Sequence, residues 1–196
     1  CYQDFNDIRS QFYASSEWTF GYPAATGIGT QHGGILVDFN AVKGGIEIIP
    51  LDNDWQKAAH VYSDEVLISH RTDAEKGTPK FERGKSLSDH QCEMIYISGT
   101  AAIRGEESIV TGDVLVQTEI TLENIQHLIG LEEGREKLPE HSGKLELLRV
   151  YLKHEEDAKI VKEDMDKLCP DVPIVYLYAD VCREELLVEI EGIAYL

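Results

Sequence analysis

Apolar positions recur along this chain with two different periods. Spacings of three and four residues predict helices, and alternation with a period of two predicts strands. The helical pattern covers 2–14, a segment that starts at the cap residue Asp113 and runs to Ile129, and 158–168. Short apolar or alternating runs predict strands at 35–39, 46–49, 66–68, 94–98, 145–153, 174–178 and 186–194. From residue 66 the order is β-β-α-β-α-β-β, which favours an α+β domain with two helices packed on one face of a mixed sheet.

The last predicted strand places two carboxylates inside an apolar run. Alternation puts Glu189 and Glu191 on one face, and Val188 and Ile190 on the other. The two glutamate side chains start about 7 Å from each other. If their face is shielded from water, repulsion raises the pKa of one carboxyl, which then stays protonated near neutral pH as a general acid. The alternative is a solvated face on which neither glutamate has a chemical role.

Two stretches of small residues are candidates for a ligand pocket. The first, Pro-Ala-Ala-Thr-Gly-Ile-Gly-Thr at 23–30, includes Thr26 and Gly27, and either lines a pocket or forms a tight strand edge. Its glycine spacing does not fit a phosphate-binding loop. The second follows the predicted strand at 94–98 and includes Gly99 and Ala101. It leaves room either for a ligand ring or for a crossing helix.

Charge, glycine and proline are concentrated at 71–89, which predicts a long loop. Such a loop is either a solvated excursion or a lid over a site. Within it, Arg83 is a candidate carboxylate clamp, because a guanidinium makes bidentate pairs, or else an ordinary surface arginine. The polar residues at 51–60 predict a linker.

Composition narrows the class of protein. With 196 residues, 42% of them apolar, the chain suits one globular domain or one domain with an appended piece. A net charge of −18 would repel a phosphate backbone, so we predict no nucleic-acid partner. Neither a membrane-spanning run nor a signal segment is present, which predicts a soluble cytoplasmic protein without a membrane partner. The four scattered cysteines predict free thiols rather than a zinc site or a disulfide framework.

An amphipathic pattern starts directly after the first residue, Cys1. We therefore expect a fragment whose partner segment lies upstream. A lipid-modified cysteine is the weaker alternative, because a flexible tether usually follows such an anchor.

Several short motifs resemble the RidA/YjgF/YER057c/UK114 superfamily. They are Ser98-Gly99-Thr100-Ala101, Gly112-Asp113-Val114 with Gln117-Thr118 and Leu122-Glu123-Asn124-Ile125, and Glu189-Ile190-Glu191-Gly192-Ile193-Ala194. Within the superfamily, 23–29 and 179–183 are similar to the chorismatases, which carry two such units in tandem. The resemblance implies a RidA/chorismate-mutase-like fold, with a remnant of a first unit at 1–50, a linker at 51–60 and a complete unit at 61–196. It also implies a homotrimer or a pseudo-symmetric oligomer.

The resemblance assigns roles to individual residues. Glu189 matches the glutamate that chorismatases use as general acid and that RidA proteins use to hold a water. Cys182 matches a cysteine of the chorismatases that form 3-hydroxybenzoate, and Gly99 and Ala101 lie where pocket size helps to set the product. RidA imine deaminases bind the substrate carboxylate through an arginine near the place of Ile174, which argues against deamination in the usual site.

The chemistry expected of a chorismatase gives Glu189 a defined task. Chorismate carries an enolpyruvyl ether, and its hydrolysis begins when an acid protonates the terminal methylene carbon and forms an oxocarbenium ion. That step needs a carboxyl that is still protonated near neutral pH. The substrate carboxylates call for arginines, for which Arg83 and Arg149 are the candidates, with Thr26, Gly27, Gly99 and Ala101 around the substrate. Neither a metal nor an organic cofactor is required.

We therefore predict a chorismatase-like lyase or hydrolase that releases pyruvate and a ring carboxylic acid. One alternative is a non-catalytic RidA-like module or scaffold that binds a small carboxylate. A further alternative is an imine or enamine deaminase. The endoribonuclease activity ascribed to some relatives is disfavoured by the net charge of −18.

Overall fold

A six-stranded mixed sheet with helices on one face forms the centre of the fold. The computed structural model describes residues 2–16, 21–31, 33–67, 77–89, 92–130 and 143–196. The strand order is β1-β2-β3-β8-β6-β7, and only β6 and β7 run parallel. These strands are β1 Glu47–Leu51, β2 Gly84–Ser88, β3 Glu93–Thr100, β6 Lys144–Leu152, β7 Ile174–Tyr178 and β8 Val188–Tyr195. A separate two-stranded ribbon pairs β4 Ile103–Arg104 with β5 Glu107–Ser108. The predicted α+β class with a mixed sheet is confirmed.

The helices begin and end near the predicted residues. They are α1 Tyr2–Ser15, α2 Val114–Ile129 and α3 Ala158–Leu168, with short 3-10 turns at Ala59–Val61 and Glu155–Asp157. Asp113 caps α2, since its carboxylate accepts hydrogen bonds from the amides of Leu115 and Val116. Gly130 ends the helix with a φ of 80°, a left-handed conformation that suits glycine.

The hydrophobic core lies between the sheet and the helices α2 and α3. On the central strand β8, Val188, Ile190 and Ala194 are fully buried. They pack with core residues of the helices and of β6, namely Ile125, Leu148, Val150, Val161 and Met165. The predicted helix at 158–168 is confirmed by α3, whose last residue, Leu168, is 43% exposed and lies outside this core. Since Val188 and Ile190 face the helices, Glu189 and Glu191 project from the opposite face of the sheet, as the alternation predicts.

The predicted strand at 35–39 is wrong. These residues are irregular, and Ile35, Leu36 and Phe39 are 87%, 88% and 79% exposed. An apolar run becomes a strand only where a neighbouring strand supplies hydrogen bonds, and none of the strands in the described ranges pairs with this segment. The following strand prediction, at 46–49, is confirmed by β1.

Part of the predicted loop at 71–89 is a strand. Gly84–Ser88 forms β2 inside the sheet, between β1 and β3. Its sequence, Gly-Lys-Ser-Leu-Ser, contains a single apolar residue, so the apolar pattern gave no strand signal. Lys85 and Ser86 are nevertheless 7% and 2% exposed. Residues 71–76 lie outside the described part of the chain.

The predicted strand at 66–68 is also wrong where it is described. Val66 lies in a turn and Leu67 in irregular structure, whereas Ile68 is not among the described residues. Leu67 is buried all the same, because it packs with Ala59 and Tyr62 in a small cluster of its own. Its apolar character reflects local packing rather than strand pairing.

The polar stretch at 51–60 packs against helix α2. Asn53 and Gln56 are 3% and 4% exposed, and the Asn53 amide donates to the backbone oxygen of Asn124 at 3.0 Å. The ring of Trp55 stacks on His127, with 4.0 Å between ring centroids. Strand β1 crosses the boundary predicted at residue 50. The division into units at 1–50, 51–60 and 61–196 stays a prediction.

Candidate active site

The carboxyl of Glu189 lies directly against the backbone of Gly99. Glu189 is the second residue of β8 and is only 8% exposed. A Cβ atom added to Gly99 would lie 2.1 Å from Glu189 Oε1 and 2.7 Å from the Thr26 methyl group. The pairing of β3 with β8 shifts register between Ile97 and Thr100, and this bulge brings the Gly99 backbone towards the carboxyl. The site therefore requires glycine at this position.

Burial makes Glu189 a weak acid. Desolvation, assisted by the negative charge of Glu191, raises the pKa of Glu189 from 4.5 to about 8, while the positive charge of Arg83 lowers it. A carboxyl with this pKa is mostly protonated at neutral pH and can give up its proton. Glu189 is therefore shielded from water, and the alternative that its carboxyl lies on a solvated face is wrong.

Arg83 is a buried cation, not a surface arginine. It is 3% exposed, and its Nη2 atom donates to the backbone oxygen of Lys57 at 2.6 Å and to the hydroxyl of Tyr62. Its guanidinium lies 5.5 Å from the ring centroids of both Tyr62 and Phe81. Its Nε atom is buried and makes no hydrogen bond within the described residues. A buried donor of this kind suits a carboxylate ligand, because a carboxylate accepts hydrogen bonds from a guanidinium.

The small-residue segment at 23–30 is held along the site by hydrogen bonds just before its start and near its end. Near its start, the amide of Tyr22 donates to the Glu82 carboxylate at 2.9 Å. At its end, Gly29 and Asp180 exchange two backbone hydrogen bonds of 2.8 Å and 3.0 Å. A Cβ on Gly29 would lie 2.8 Å from Cβ of Asp180, so glycine permits this close approach. The segment therefore approaches its neighbours closely at Gly29, and Thr26 brings it against the Gly99–Glu189 contact.

Thr26 and Gly27 connect the two predicted catalytic residues. The Thr26 hydroxyl accepts a hydrogen bond from the amide of Gly99 at 2.9 Å, beside the Glu189 carboxyl. The thiol of Cys182, in the loop between β7 and β8, donates to the backbone oxygen of Gly27 at 2.9 Å. Glu189 and Cys182 are therefore set against neighbouring residues of one segment.

Two of the predicted substrate-binding residues lie elsewhere. Arg149 donates from Nη1 to Glu191 Oε1 at 2.6 Å, and its side chain is 45% exposed. Ala101 is 4% exposed and packs in a small cluster with Ile103 and Val181. Thr26, Gly99 and Glu189 lie against one another, and the charge of Arg83 acts on Glu189, whereas Arg149 and Ala101 do not join them through any contact in the described ranges.

The sequence prediction missed two tyrosines. Tyr62 lies just after a 3-10 turn, where no periodic pattern predicts which side chains are buried. The hydroxyl of Tyr151 donates to Glu191 Oε1 at 2.7 Å. Tyr151 could have been found, because it is two residues after Arg149 in a predicted strand and therefore shares its face.

Neither a metal cluster nor a membrane-crossing helix is found in the described part of the chain. Among those residues, no group of three or more His, Cys, Asp or Glu side chains is placed to hold a metal ion. None of the helices there has the length and apolarity that a bilayer crossing needs.

Known proteins with similar sequences are chorismatases and a related synthase. A chorismatase of Streptomyces rapamycinicus is 35% identical over 179 residues, which cover 87% of this chain and 50% of that protein. A 3-hydroxybenzoate synthase of Streptomyces hygroscopicus is 32% identical over 206 residues, which cover 98% of this chain and 56% of that protein. The chain thus spans about half the length of the curated relatives it matches. No protein-family model matches the chain.

Solved structures show the same fold. The crystal structure of a chorismatase superposes with a TM-score of 0.75 at 28% identity, covering 98% of this chain and 57% of that one. A candidate endoribonuclease L-PSP from Entamoeba histolytica gives a TM-score of 0.51 at 12% identity, covering 76% of this chain and 100% of that one. The predicted resemblance is confirmed: the chain is homologous to chorismatases and has the fold of the RidA/YjgF proteins.

Proposed function

We propose that this chain, as a homologue of chorismatases, cleaves the enolpyruvyl ether of chorismate or a related cyclic acid to pyruvate and a ring carboxylic acid. The observation that carries the proposal is a buried carboxyl, Glu189, held against the Gly99 backbone, whose pKa is raised by burial and on which the charge of a buried arginine, Arg83, acts. Acid cleavage of an enol ether needs this combination, because the acid must donate its proton to carbon while a cation holds the substrate carboxylate.

In this mechanism, Glu189 donates its proton to the terminal methylene carbon of the enolpyruvyl group. The electron pair of the C=C bond forms the new C–H bond, and the positive charge is shared with the ether oxygen as an oxocarbenium ion. If water then adds to the cationic carbon that bears the ether oxygen, the hemiketal breaks its bond to that oxygen, pyruvate and a ring diol leave, and water supplies the proton that returns to Glu189. If a ring hydroxyl instead attacks the ring carbon that bears the ether oxygen, the bond between that ring carbon and the oxygen breaks, pyruvate leaves, the hydroxyl proton returns to Glu189, and the ring product isomerises to a hydroxybenzoate. The Glu189 carboxylate formed in the first step carries a negative charge that can stabilise the cation.

Arg83 is the residue we assign to a substrate carboxylate. Its remaining donors lie in a buried setting, where a charge-assisted hydrogen bond is strongest. Tyr62 and Lys57 hold part of the guanidinium in place before the substrate binds, which reduces the entropy lost on binding. Arg149, the other predicted clamp, stays a prediction in that role, since its guanidinium is engaged with Glu191.

Cys182 is assigned to the choice of product. Support comes from the match to cysteine-containing chorismatases and from the similarity to a 3-hydroxybenzoate synthase. Its thiol borders Gly27, next to the Thr26 contact with Gly99. The formation of 3-hydroxybenzoate is therefore our proposal for the ring product. A homotrimeric or pseudo-symmetric assembly and a cytoplasmic location also stay predictions.

A pyruvate-release assay tests the proposal. The protein is incubated with chorismate near pH 7, and pyruvate is measured with a lactate dehydrogenase coupled assay. We expect steady release that falls at least about 100-fold in Glu189→Gln, because general acid catalysis contributes about 100- to 10,000-fold. The matched control is Glu184→Gln, an exposed glutamate five residues earlier in the chain. No release by the wild-type protein, or equal rates in the two variants, would refute the proposal.

A second candidate, a non-catalytic module that binds a small carboxylate, is favoured by the buried Arg83 alone. An unpaired Nε atom in a buried site would serve binding as well as catalysis. Thermal-shift measurements with small aromatic and keto acids discriminate the two. Stabilisation without turnover supports the binding module, and stabilisation with turnover supports the enzyme. Deamination of an imine or enamine has no such observation in its favour, because Ile174 replaces the arginine expected there.

A further inference from the structure

The two carboxylates of β8 lean towards opposite neighbours in the sheet. Strand β8 lies between β3 and β6. Glu189 approaches Gly99 on β3, whereas Glu191 bonds to side chains of β6. Arg149 pairs with Glu191 and Tyr151 pairs with Glu189 in the register of β6 with β8. Although they share one face of one strand, the two glutamates thus have different surroundings.

Glu191 is surrounded by donors. Arg149 Nη1 and the Tyr151 hydroxyl both donate to Glu191 Oε1, at 2.6 Å and 2.7 Å. The Glu191 side chain is 15% exposed, whereas the Arg149 side chain is 45% exposed, so water reaches the arginine side of this ion pair. A carboxylate that accepts two hydrogen bonds, one from a cation, is stabilised in its charged form. The hydrogen bond to Glu191 raises the pKa of Arg149, and burial, followed by the hydrogen bond to Glu191, raises the pKa of Tyr151, so both partners keep their protons.

Glu189 has the opposite environment. Its carboxyl faces the Gly99 backbone, and no hydrogen bond within the described residues reaches it. The charged and titratable groups around it are Glu191 on its own strand, Tyr151 and Arg149 on β6, Arg83 directly before β2, and Cys182 across the Thr26–Gly27 segment. Desolvation by burial is the larger cause that raises the pKa of Glu189, the negative charge of Glu191 adds to it, and the positive charge of Arg83 opposes both.

We propose that Glu191, kept ionised by Arg149 and Tyr151, is a positioning residue that keeps the proton of the pair on Glu189. The charge of Glu191 thereby adds to the burial of Glu189, which by itself already favours the protonated form. This inference rests on the proposed function for the catalytic meaning of the proton, but the position of the proton is a property of the protein itself. It gives Arg149 a task other than binding substrate.

The direction in which each substitution shifts the pKa of Glu189 follows from the charge that it removes. Glu191→Gln removes the anion and leaves Arg149 as an uncompensated cation, and both changes favour the charged form of Glu189. Arg149→Gln removes a cation while Tyr151 still donates to Glu191, so it favours the protonated form of Glu189. The two variants therefore shift the titration of Glu189 in opposite directions, which a general loss of packing would not do.

Carbon-13 NMR of protein labelled at the glutamate side-chain carboxyl carbons measures these shifts without substrate. The Glu189 signal is assigned by its loss in Glu189→Gln and titrated from pH 4 to pH 10 in each variant. We expect the Glu189 midpoint to fall by about one pH unit or more in Glu191→Gln, to rise in Arg149→Gln, and to stay unchanged in the exposed control Glu184→Gln. Glu191→Asp, which keeps the anion, should recover part of the shift.

The outcomes separate this inference from the proposed function. An unchanged Glu189 midpoint in a folded Glu191→Gln protein, or shifts of the same sign in Glu191→Gln and Arg149→Gln, would overturn the inference even if chorismate is cleaved. The expected opposite shifts would support it even if chorismate is not cleaved, in which case the proposed substrate alone is wrong. Circular dichroism of each variant confirms that it is folded.

Discussion

Replacement of Gly99 by alanine is the sharpest structural test of the site. The added Cβ would lie 2.1 Å from Glu189 Oε1 and 2.7 Å from the Thr26 methyl group. Optimal separations of non-bonded heavy atoms are about 3.5 Å, so the carboxyl oxygen must move by about 1 Å or more. Since β8 is the central strand and Val188 and Ile190 are fully buried, its backbone cannot follow easily, and the Glu189 side chain must rotate.

Two magnitudes follow from that displacement. A misplacement of about 1 Å in a catalytic group can reduce the rate about 100-fold. Overpacking of a buried site costs about 1–3 kcal/mol in the free energy of unfolding. We therefore expect kcat/KM for pyruvate release from chorismate to fall about 100-fold in Gly99→Ala, with a moderate loss of stability in urea denaturation.

Two controls make this prediction specific. Gly33→Ala adds a Cβ with nothing within 4 Å, so neither activity nor stability should change. The double variant Gly99→Ala with Thr26→Ser removes the methyl group that the new Cβ would meet but leaves the clash with Glu189. It should regain stability without regaining activity. Wild-type turnover in Gly99→Ala, or recovery of turnover in the double variant, would refute the placement of Glu189 against Gly99.

Three further predictions concern Arg83, Cys182 and the stability of Glu189. Arg83→Lys keeps the positive charge but loses the planar pair of donors, so KM for chorismate should rise about tenfold or more in steady-state kinetics. An unchanged KM would contradict the assignment of Arg83 to a substrate carboxylate. Cys182→Ala should keep pyruvate release within a few-fold and reduce the share of 3-hydroxybenzoate among the ring products separated by liquid chromatography; an unchanged product ratio would contradict its role. Folding raises the pKa of Glu189 from 4.5 to about 8, so the wild-type protein loses stability as pH rises between these values. The Glu189→Gln variant has no ionisable group at this position and should not show this loss. In urea denaturation the variant should be the more stable protein by up to about 3 kcal/mol at pH 7, with the difference vanishing near pH 4, and a difference independent of pH would contradict the burial of an ionisable carboxyl.

The sequence correctly predicted the elements whose structure depends mainly on residues that are close together in the chain. The cap at Asp113 and the helical spacing of Leu122, Ile125 and Ile129 located α2 because a helix satisfies its own backbone hydrogen bonds. Alternation in the last strand located Glu189 for a similar reason, since the face of a strand is fixed by its own sequence once one side is apolar.

Non-local pairing explains what the sequence did not reveal. The five residues of β2 contain one apolar side chain, and they form a strand because β1 and β3 lie on either side. Residues 35–39 have a stronger strand composition but no partner strand in the described ranges. Likewise, the pairing of Arg149 with Glu191 depends on the register between β6 and β8, which joins residues 42 positions apart. Candidate arginines could be named from the sequence, but their partners could not.

The pH dependence of pyruvate release tests the central claim, that Glu189 is the acid, most directly. The rate kcat/KM for chorismate is measured from pH 6 to pH 10 in the wild-type protein and in Glu189→Gln. Since burial raises the pKa of Glu189 to about 8, we expect the wild-type rate to be constant at lower pH and to fall tenfold per unit above pH 8. The residual rate of Glu189→Gln should lack this fall. A wild-type rate without an alkaline limb, or the same limb in Glu189→Gln, would contradict the account.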